Sequence, residues 1–191
     1  MSRVSKAQAA ENRAGIVAAA ARLFRERGIQ GVSLTDLTKS VGLTNGGFYK
    51  QFASKEALVT EAAAQAFNDR DSYLAGLGDG HPSRLDARRA MVEEYLSHEH
   101  RDDPGTGCPT AGFVGDLAQA AHDGNLASQQ TYTDGVQRFV DWMTEDGHGD
   151  EGLVATCTLV GAILLARATS STELSEEILQ AARRSITDSL S

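Results

Sequence analysis

The chain has 191 residues, of which 41% are hydrophobic, 23% charged and 6% aromatic. That apolar share excludes a disordered chain, and a chain of this length buries roughly 70% of its unfolded surface without metal or disulfide staples. Two cysteines, Cys108 and Cys157, exclude a disulfide framework and suit a reducing compartment. The apolar stretch Ile16 to Phe24 is broken by Arg22 and preceded by Glu11 and Arg13, so no signal peptide is expected. The longest nearly apolar run, Leu153 to Ala166, falls short of the roughly 18 residues of a membrane span. The expectation is a cytoplasmic protein with no membrane partner.

Net charge is −8, which taken alone argues against a polyanionic partner. The charge is unevenly placed. Residues 1–58 hold nine basic and four acidic side chains, a head of +5, and the remainder is a body of −13. Such asymmetry is expected where one segment alone meets a polyanion.

In chain order, Ile16, Ala20, Leu23 and Phe24 share one face of a helix over about Ala7 to Arg27, stopped by Gly28. Ser33 stands three residues before Asp36, a capping-box pattern opening a second helix with Leu34, Leu37 and Val41 on its apolar side and Gly42 at its end. Thr44 can cap a third, very short helix bearing Phe48, Tyr49 and Phe52. Ser54 caps a fourth that continues to about Leu77, where the Gly76–Pro82 stretch is expected to break it. Further helices are expected over about Ser83 to His98, Pro109–Ala121, Leu126–Thr144, Glu151–Thr169 and Glu173–Ser189. No period-two alternation occurs, so the fold class is all-α.

The head has the order of a helix-turn-helix module, with helix two across a phosphate backbone and the bend at Gly42 throwing helix three into a major groove. Candidate DNA contacts are Ser33, Thr35, Thr44, Asn45, Gly46, Gly47, Tyr49, Lys50 and Lys55. Asn suits adenine and Lys suits guanine or phosphate. Gly46 and Gly47 are poor helix formers but let backbone approach a groove closely. The Tyr49 ring can pack while its hydroxyl reaches phosphate, and Lys55 is expected to face the same backbone. Phe48 and Phe52, at i and i+4, belong to the core.

The run Leu43-Thr44-Asn45-Gly46-Gly47-Phe48-Tyr49-Lys50-Gln51-Phe52, followed by Ser54-Lys55-Glu56-Ala57-Leu58, resembles the TetR/AcrR family of bacterial transcriptional regulators over about residues 11–60. Thr38 stands where the family more often has Ala, Asn45 where a basic or small residue is frequent, and Gln51 where His is common. The resemblance implies a helix-turn-helix DNA-binding domain over 1–56 and a helical ligand-binding and dimerisation domain over 57–191. It further implies a homodimer, most often a repressor, released from a palindromic operator on double-stranded DNA by a small-molecule inducer expected to be hydrophobic.

The body carries no strong motif of its own. Leu153, Cys157, Val160, Ile163 and Leu164 stripe one helix, and Leu174, Ile178, Leu179, Ala182, Ile186 and Leu190 stripe the next. Two such helices per subunit can form an intersubunit four-helix bundle, so Val160, Ile163, Leu164, Leu174, Ile178 and Ile186 are the candidate dimer interface. Met91, Tyr95, Cys108, Phe113, Leu117, Tyr132, Phe139, Trp142 and Met143 are candidates for lining a ligand cavity, with plain packing as the alternative for each. Cys108 opens a helix, where unsatisfied N–H groups favour a thiolate; it is a candidate redox or electrophile sensor, or a small packing residue. Cys108 as an enzymatic nucleophile with His98, His100 or His122 as base is the remaining alternative. His98 and His100, at i and i+2, lack helical zinc spacing. The chain is expected to be no enzyme and to use no metal or cofactor.

Overall fold

The computed structural model describes residues 6–122, 124–144 and 150–190. Of the basic head, Arg3 lies outside them, as does part of the loop expected at 147–150. All regular structure among the described residues is helical: α1 Lys6–Arg27, α2 Leu34–Ser40, α3 Asn45–Phe48, α4 Lys55–Asp79, α5 Arg84–Tyr95, α6 His98–Asp102, α7 Pro109–His122, α8 Leu126–Met143, α9 Glu151–Ala168 and α10 Glu173–Ser189.

Local chemistry sets most boundaries. Gly28, at φ 74°, reverses the chain after α1 with its N–H on Phe24 O, and Gly42, at φ 68°, makes the bend after α2. Ser33 and Asp36 form a reciprocal capping box, and Ser54 receives the Ala57 N–H. Two boundaries depart from expectation. α4 runs through Gly76 and Gly78 to Asp79, because a helical glycine only weakens a hydrogen-bonded ladder; the Gly80 N–H still reaches Gly76 O at 3.0 Å, and His81 Nδ1 caps Leu77 O at 2.8 Å. The helix expected to reach His98 stops at Tyr95, because Ser97 accepts the His100 N–H and starts α6 afresh.

Two apolar clusters build the interior, and α4 belongs to both. Leu58, Val59, Ala62, Ala63 and Ala66 join Ile16, Phe24, Leu37, Phe48 and Phe52 of the head with Phe113 and Leu117 of α7. Leu74, at the far end of α4, joins Met91, Tyr95, Phe139, Leu159, Ile163 and Ile186. Between them α4 crosses α8 closely enough that a Cβ at Gly135 would be driven into the Phe67 ring. Helix α9 is long and apolar enough to cross a membrane by length and composition, longer than the run foreseen from Leu153 to Ala166. Its apolarity has a use in the bundle, where Ala155, Leu159, Ala162, Ile163 and Ala166 are buried.

His100 fixes the corner joining α5, α6 and α7. Its Nδ1–H donates to Tyr95 O at 2.6 Å and its Nε2 accepts the Cys108 N–H at 3.0 Å, which requires the neutral tautomer protonated on Nδ1. Burial, with Arg167 and Arg70 nearby, lowers its pKa to about 4 despite the bond to Tyr95 O.

Two outcomes follow. Gly135→Ala should destabilise the chain by about 1–3 kcal/mol in thermal or urea unfolding, since neither Phe67 nor the helix pair has room for the added methyl. The unfolded chain protonates His100 near 6.5 and the folded chain resists protonation to about 4, so its contribution is complete above pH 6.5 and is lost as pH falls toward 4. That contribution is on the order of 3 kcal/mol, and His100→Gln should flatten unfolding free energy against pH in this window.

Candidate nucleic-acid interface

The head brings an exposed strip together above a sealed base. Phe48 and Phe52 are 0% and 3% exposed, stacked at 5.3 Å between ring centroids, whereas Tyr49 is 61% exposed and meets Phe48 edge-on. Thr44 caps α3 through its Oγ1, accepting the Gly47 N–H at 3.3 Å, and Thr35, Thr44, Gly46, Tyr49 and Lys50 all face solvent. The Asn45 side chain lies outside what is described. A Cβ at Gly46 or Gly47 would meet nothing nearer than 3.6 Å, so the fold itself does not require glycine at either position. Thr38, where the resemblance leads one to expect Ala, is buried and returns its hydroxyl to Leu34 O at 3.0 Å, while Leu43 N–H reaches Thr38 O at 2.8 Å. The polar atom at this helix contact is thereby satisfied within its own turn.

Two of the expected contacts have partners within the chain. The Ser33 hydroxyl accepts the Asp36 N–H and donates to the Asp36 carboxylate at 2.6 Å, so it is taken up in capping. Lys55 turns away from the strip: its ammonium donates to Ile29 O at 2.5 Å and lies 5.9 Å from the Phe24 ring centroid. Other cations of the head are also engaged internally. Arg13 forks onto Glu61 and covers Phe52, Arg22 pairs with Glu26 at 2.7 Å, and Arg25 donates its Nε–H to Gly105 O at 2.9 Å. Lys39, exposed on α2, was passed over in the sequence, although a basic residue in the last turn of the helix preceding the bend was the available signal.

The head is clamped to the body rather than hung from it. Ile29 N–H donates to Asp116 at 3.0 Å, and a Cβ at Gly112 would lie 2.6 Å from Arg25 Cγ. Beside this clamp a cavity of ≈ 570 Å³ opens between α1, α4, α6 and the loop before α7, with Arg25, Arg70, Tyr73, Glu94 and His100 among its walls. None of the residues expected to line a cavity borders it. Met91, Tyr95, Cys108, Phe113, Leu117, Phe139 and Met143 are at most 2% exposed, Tyr132 packs beside Phe67 and donates to Thr110 O at 2.7 Å, and Trp142 edges a separate hollow near Pro82. Large apolar side chains on inward helix faces fill space, and the cavity is left where charged residues keep helices apart.

Cys108 is 1% exposed, and His100 engages its backbone N–H rather than its sulfur. His98 pairs with Glu176, so neither histidine is placed to take the thiol proton, and the nucleophile–base arrangement is absent among these groups. Burial, with the Cys108 thiol beside it, holds the Tyr95 phenol well above its ordinary range. Cys157 is exposed on α9.

The expected dimer face is divided by the fold. Ile163 and Ile186 are 0% and 3% exposed within a single chain, packed where α9 meets α10, so their side chains serve the internal core. Val160, Leu164 and Ile178 are half-buried, and Leu174 is exposed together with Leu153, Val154 and Leu165, which the sequence reading had left out or only striped.

The family model of bacterial regulatory proteins, tetR family, matches residues 16–62. An uncharacterized HTH-type transcriptional regulator of Mycobacterium tuberculosis is 28% identical over 166 residues, spanning 80% of this chain and 82% of that protein. The HTH-type transcriptional repressor BepR of Brucella suis is 33% identical over 84 residues, covering 44% of this chain and 40% of its own. The crystal structure of a TetR-family transcriptional regulator from Cytophaga hutchinsonii superposes with a TM-score of 0.75 at 22% identity, covering 98% of both chains. The residues matched by the tetR family model form the helices of this head, and the fold is shared with the Cytophaga hutchinsonii regulator along almost the whole length.

Proposed function

We propose that this chain is a homodimeric DNA-binding transcriptional regulator, a repressor whose hold on a two-fold symmetric operator is altered by a small molecule in the body. The observation that carries this reading is the solvent-facing strip from Thr44 to Lys50. Its aromatic and cationic side chains stand free while the two phenylalanines beneath them are sealed. Exposure of a Tyr beside a Lys on a bend that folds perfectly well without a partner is the arrangement that groove recognition uses. The glycines at 46 and 47 support it, since close backbone approach to an external surface explains them where internal packing does not. The name borne by the Brucella suis relative supports repression.

Symmetry supports the dimer. Leu153, Val154 and Leu165 on α9 and Leu174 on α10 are between 48% and 60% exposed, a concentration of large apolar side chains that a lone subunit would leave in water. Gly161, with no atom within 4 Å of a Cβ, opens a place for close helix approach in the middle of that face. A bundle formed by α9 and α10 of two copies would cover it and set the separation of the two heads. A cavity bordered by α1 supports control by a ligand, because half-sites lie about 34–36 Å apart and small changes of head spacing cost one of them. For Cys108, the geometry favours a packing role: Gly107 and Pro109 line the cavity while the thiol lies behind them.

Duplex selection from a random pool, followed by footprinting, should return a palindromic site. Lys50→Ala should weaken its binding by about 1–3 kcal/mol and lower the slope of log affinity against log salt by about 1 if Lys50 holds phosphate. Unchanged affinity in Lys50→Ala and Tyr49→Phe together would remove the strip from the interface. Leu165→Asp should give a monomer by sedimentation and lower operator affinity by about 100-fold or more, through loss of one half-site.

A further inference from the structure

Two guanidinium groups, Arg25 and Arg70, line the large cavity and a third, Arg167, lies behind Gly107 of its wall; none has a carboxylate within ion-pair distance among the described residues. Arg25 donates to Gly105 O. Arg167 donates to Arg101 O at 3.0 Å and His100 O at 2.8 Å, behind a wall so thin that a Cβ at Gly107 would lie 3.0 Å from its Nη2. Arg70 is the least satisfied. Its Nη2 reaches only the Met91 sulfur at 3.5 Å, its plane lies 5.0–5.5 Å from the ring centroids of Phe139, Tyr73 and Tyr95, and its Nε is buried without a partner. Burial holds Arg25 and Arg167 below the usual guanidinium range. Desolvation of these cations is costly and is offset only in part by Asp69 and Asp103 beyond ion-pair distance, and an anion placed among them recovers more of that cost.

The acidic groups of the same cavity do not supply that anion. The Glu94 carboxylate receives the Tyr73 hydroxyl, Asp103 receives Thr106 Oγ1 at 2.8 Å and Asp69 receives Gln65 at 2.7 Å; Asp69, Glu94 and Glu99 are exposed, on the outer part of the wall. The cavity therefore joins two half-buried guanidinium groups with three exposed carboxylates and the half-buried Asp103. A doubly charged anion would meet the outer acids at greater cost than a single carboxylate, whose two oxygens match the guanidinium fork.

We infer that this cavity holds a flat, apolar monocarboxylate, inserted carboxylate first so that its oxygens accept from the Arg70 and Arg25 guanidinium groups while its body lies along Tyr73 and Ala66. The inference rests on the regulator reading only for its consequence. Arg25 belongs to α1 of the head and is wedged against Gly112 of α7, so a carboxylate that takes its N–H groups from Gly105 O shifts head against body.

The test is calorimetric titration of the full chain, without DNA, using 2-naphthoate, the uncharged 2-naphthamide and the cationic 2-naphthylmethylammonium. Naphthoate should bind, with the amide about 10- to 100-fold weaker and the ammonium weaker still, the range given by charge-assisted hydrogen bonds. Arg70→Met should remove the preference for the acid over the amide. Equal binding of acid and amide, tighter binding of the ammonium, an undiminished preference in Arg70→Met, or no binding of naphthoate would each overturn the assignment. Should Arg70→Met fail to fold by circular dichroism, the comparison of acid with amide on the unaltered chain decides. A chain that takes up naphthoate but selects no duplex refutes the regulator reading and leaves this one standing; operator binding without naphthoate uptake does the reverse.

Discussion

Burial along α4 is the constraint from which the rest of the structure follows. Its first turns close the head core with Leu58, Ala62 and Ala66, and its last buried residue, Leu74, enters the body core. Small residues dominate the first half, so α1 can lie close on it, and Phe67 then fills the notch left by Gly135 of α8. A helix buried at both ends by different partners cannot rotate for one without disturbing the other. Head and body are thus joined along α4 by packed side chains.

The second tie is polar and lies on the opposite side of α1. Ile29 N–H on Asp116 and Arg25 on Gly105 O bind the end of α1 to α7 and to the loop before it. These bonds link groups 80 and 87 residues apart in sequence. They satisfy donors that would otherwise be stranded at the junction. Because the Arg25 bond is to a neutral carbonyl, a carboxylate in the neighbouring cavity is a stronger acceptor for the same N–H groups.

Electrostatics of the head are more economical than its composition suggests. Arg13, Arg22, Arg25 and Lys55 are engaged by Glu61, Glu26, Gly105 and Ile29, leaving Lys39 and Lys50, with Arg27, as exposed cations on described elements. The positive excess of residues 1–58 is therefore a matter of a few side chains placed near one bend. The engaged cations serve cohesion: Arg13 covers the Phe52 ring, and Lys55 caps the carbonyl that follows Gly28.

What the sequence determined by itself was local. Helical type, the capping box at Ser33 and Asp36, and the reversals at Gly28 and Gly42 follow from propensities and hydrogen bonds within a few residues, which a linear reading contains, whereas the separate short helix α6 was not read. Tertiary structure decided the direction of each long side chain and the location of empty space. Lys55 could not be read as a partner of Ile29, nor Ile163 and Ile186 as internal, because a striped helix does not say which neighbour its stripe meets. The cavity was illegible for the same reason: it is bordered by polar and charged residues from four separate stretches, Arg25, Arg70, Glu94 and His100, whose nearness arises only when α1, α4, α5 and α6 come together. The apolar residues expected there were needed to hold those helices, and a side chain that fills the core cannot also line a void.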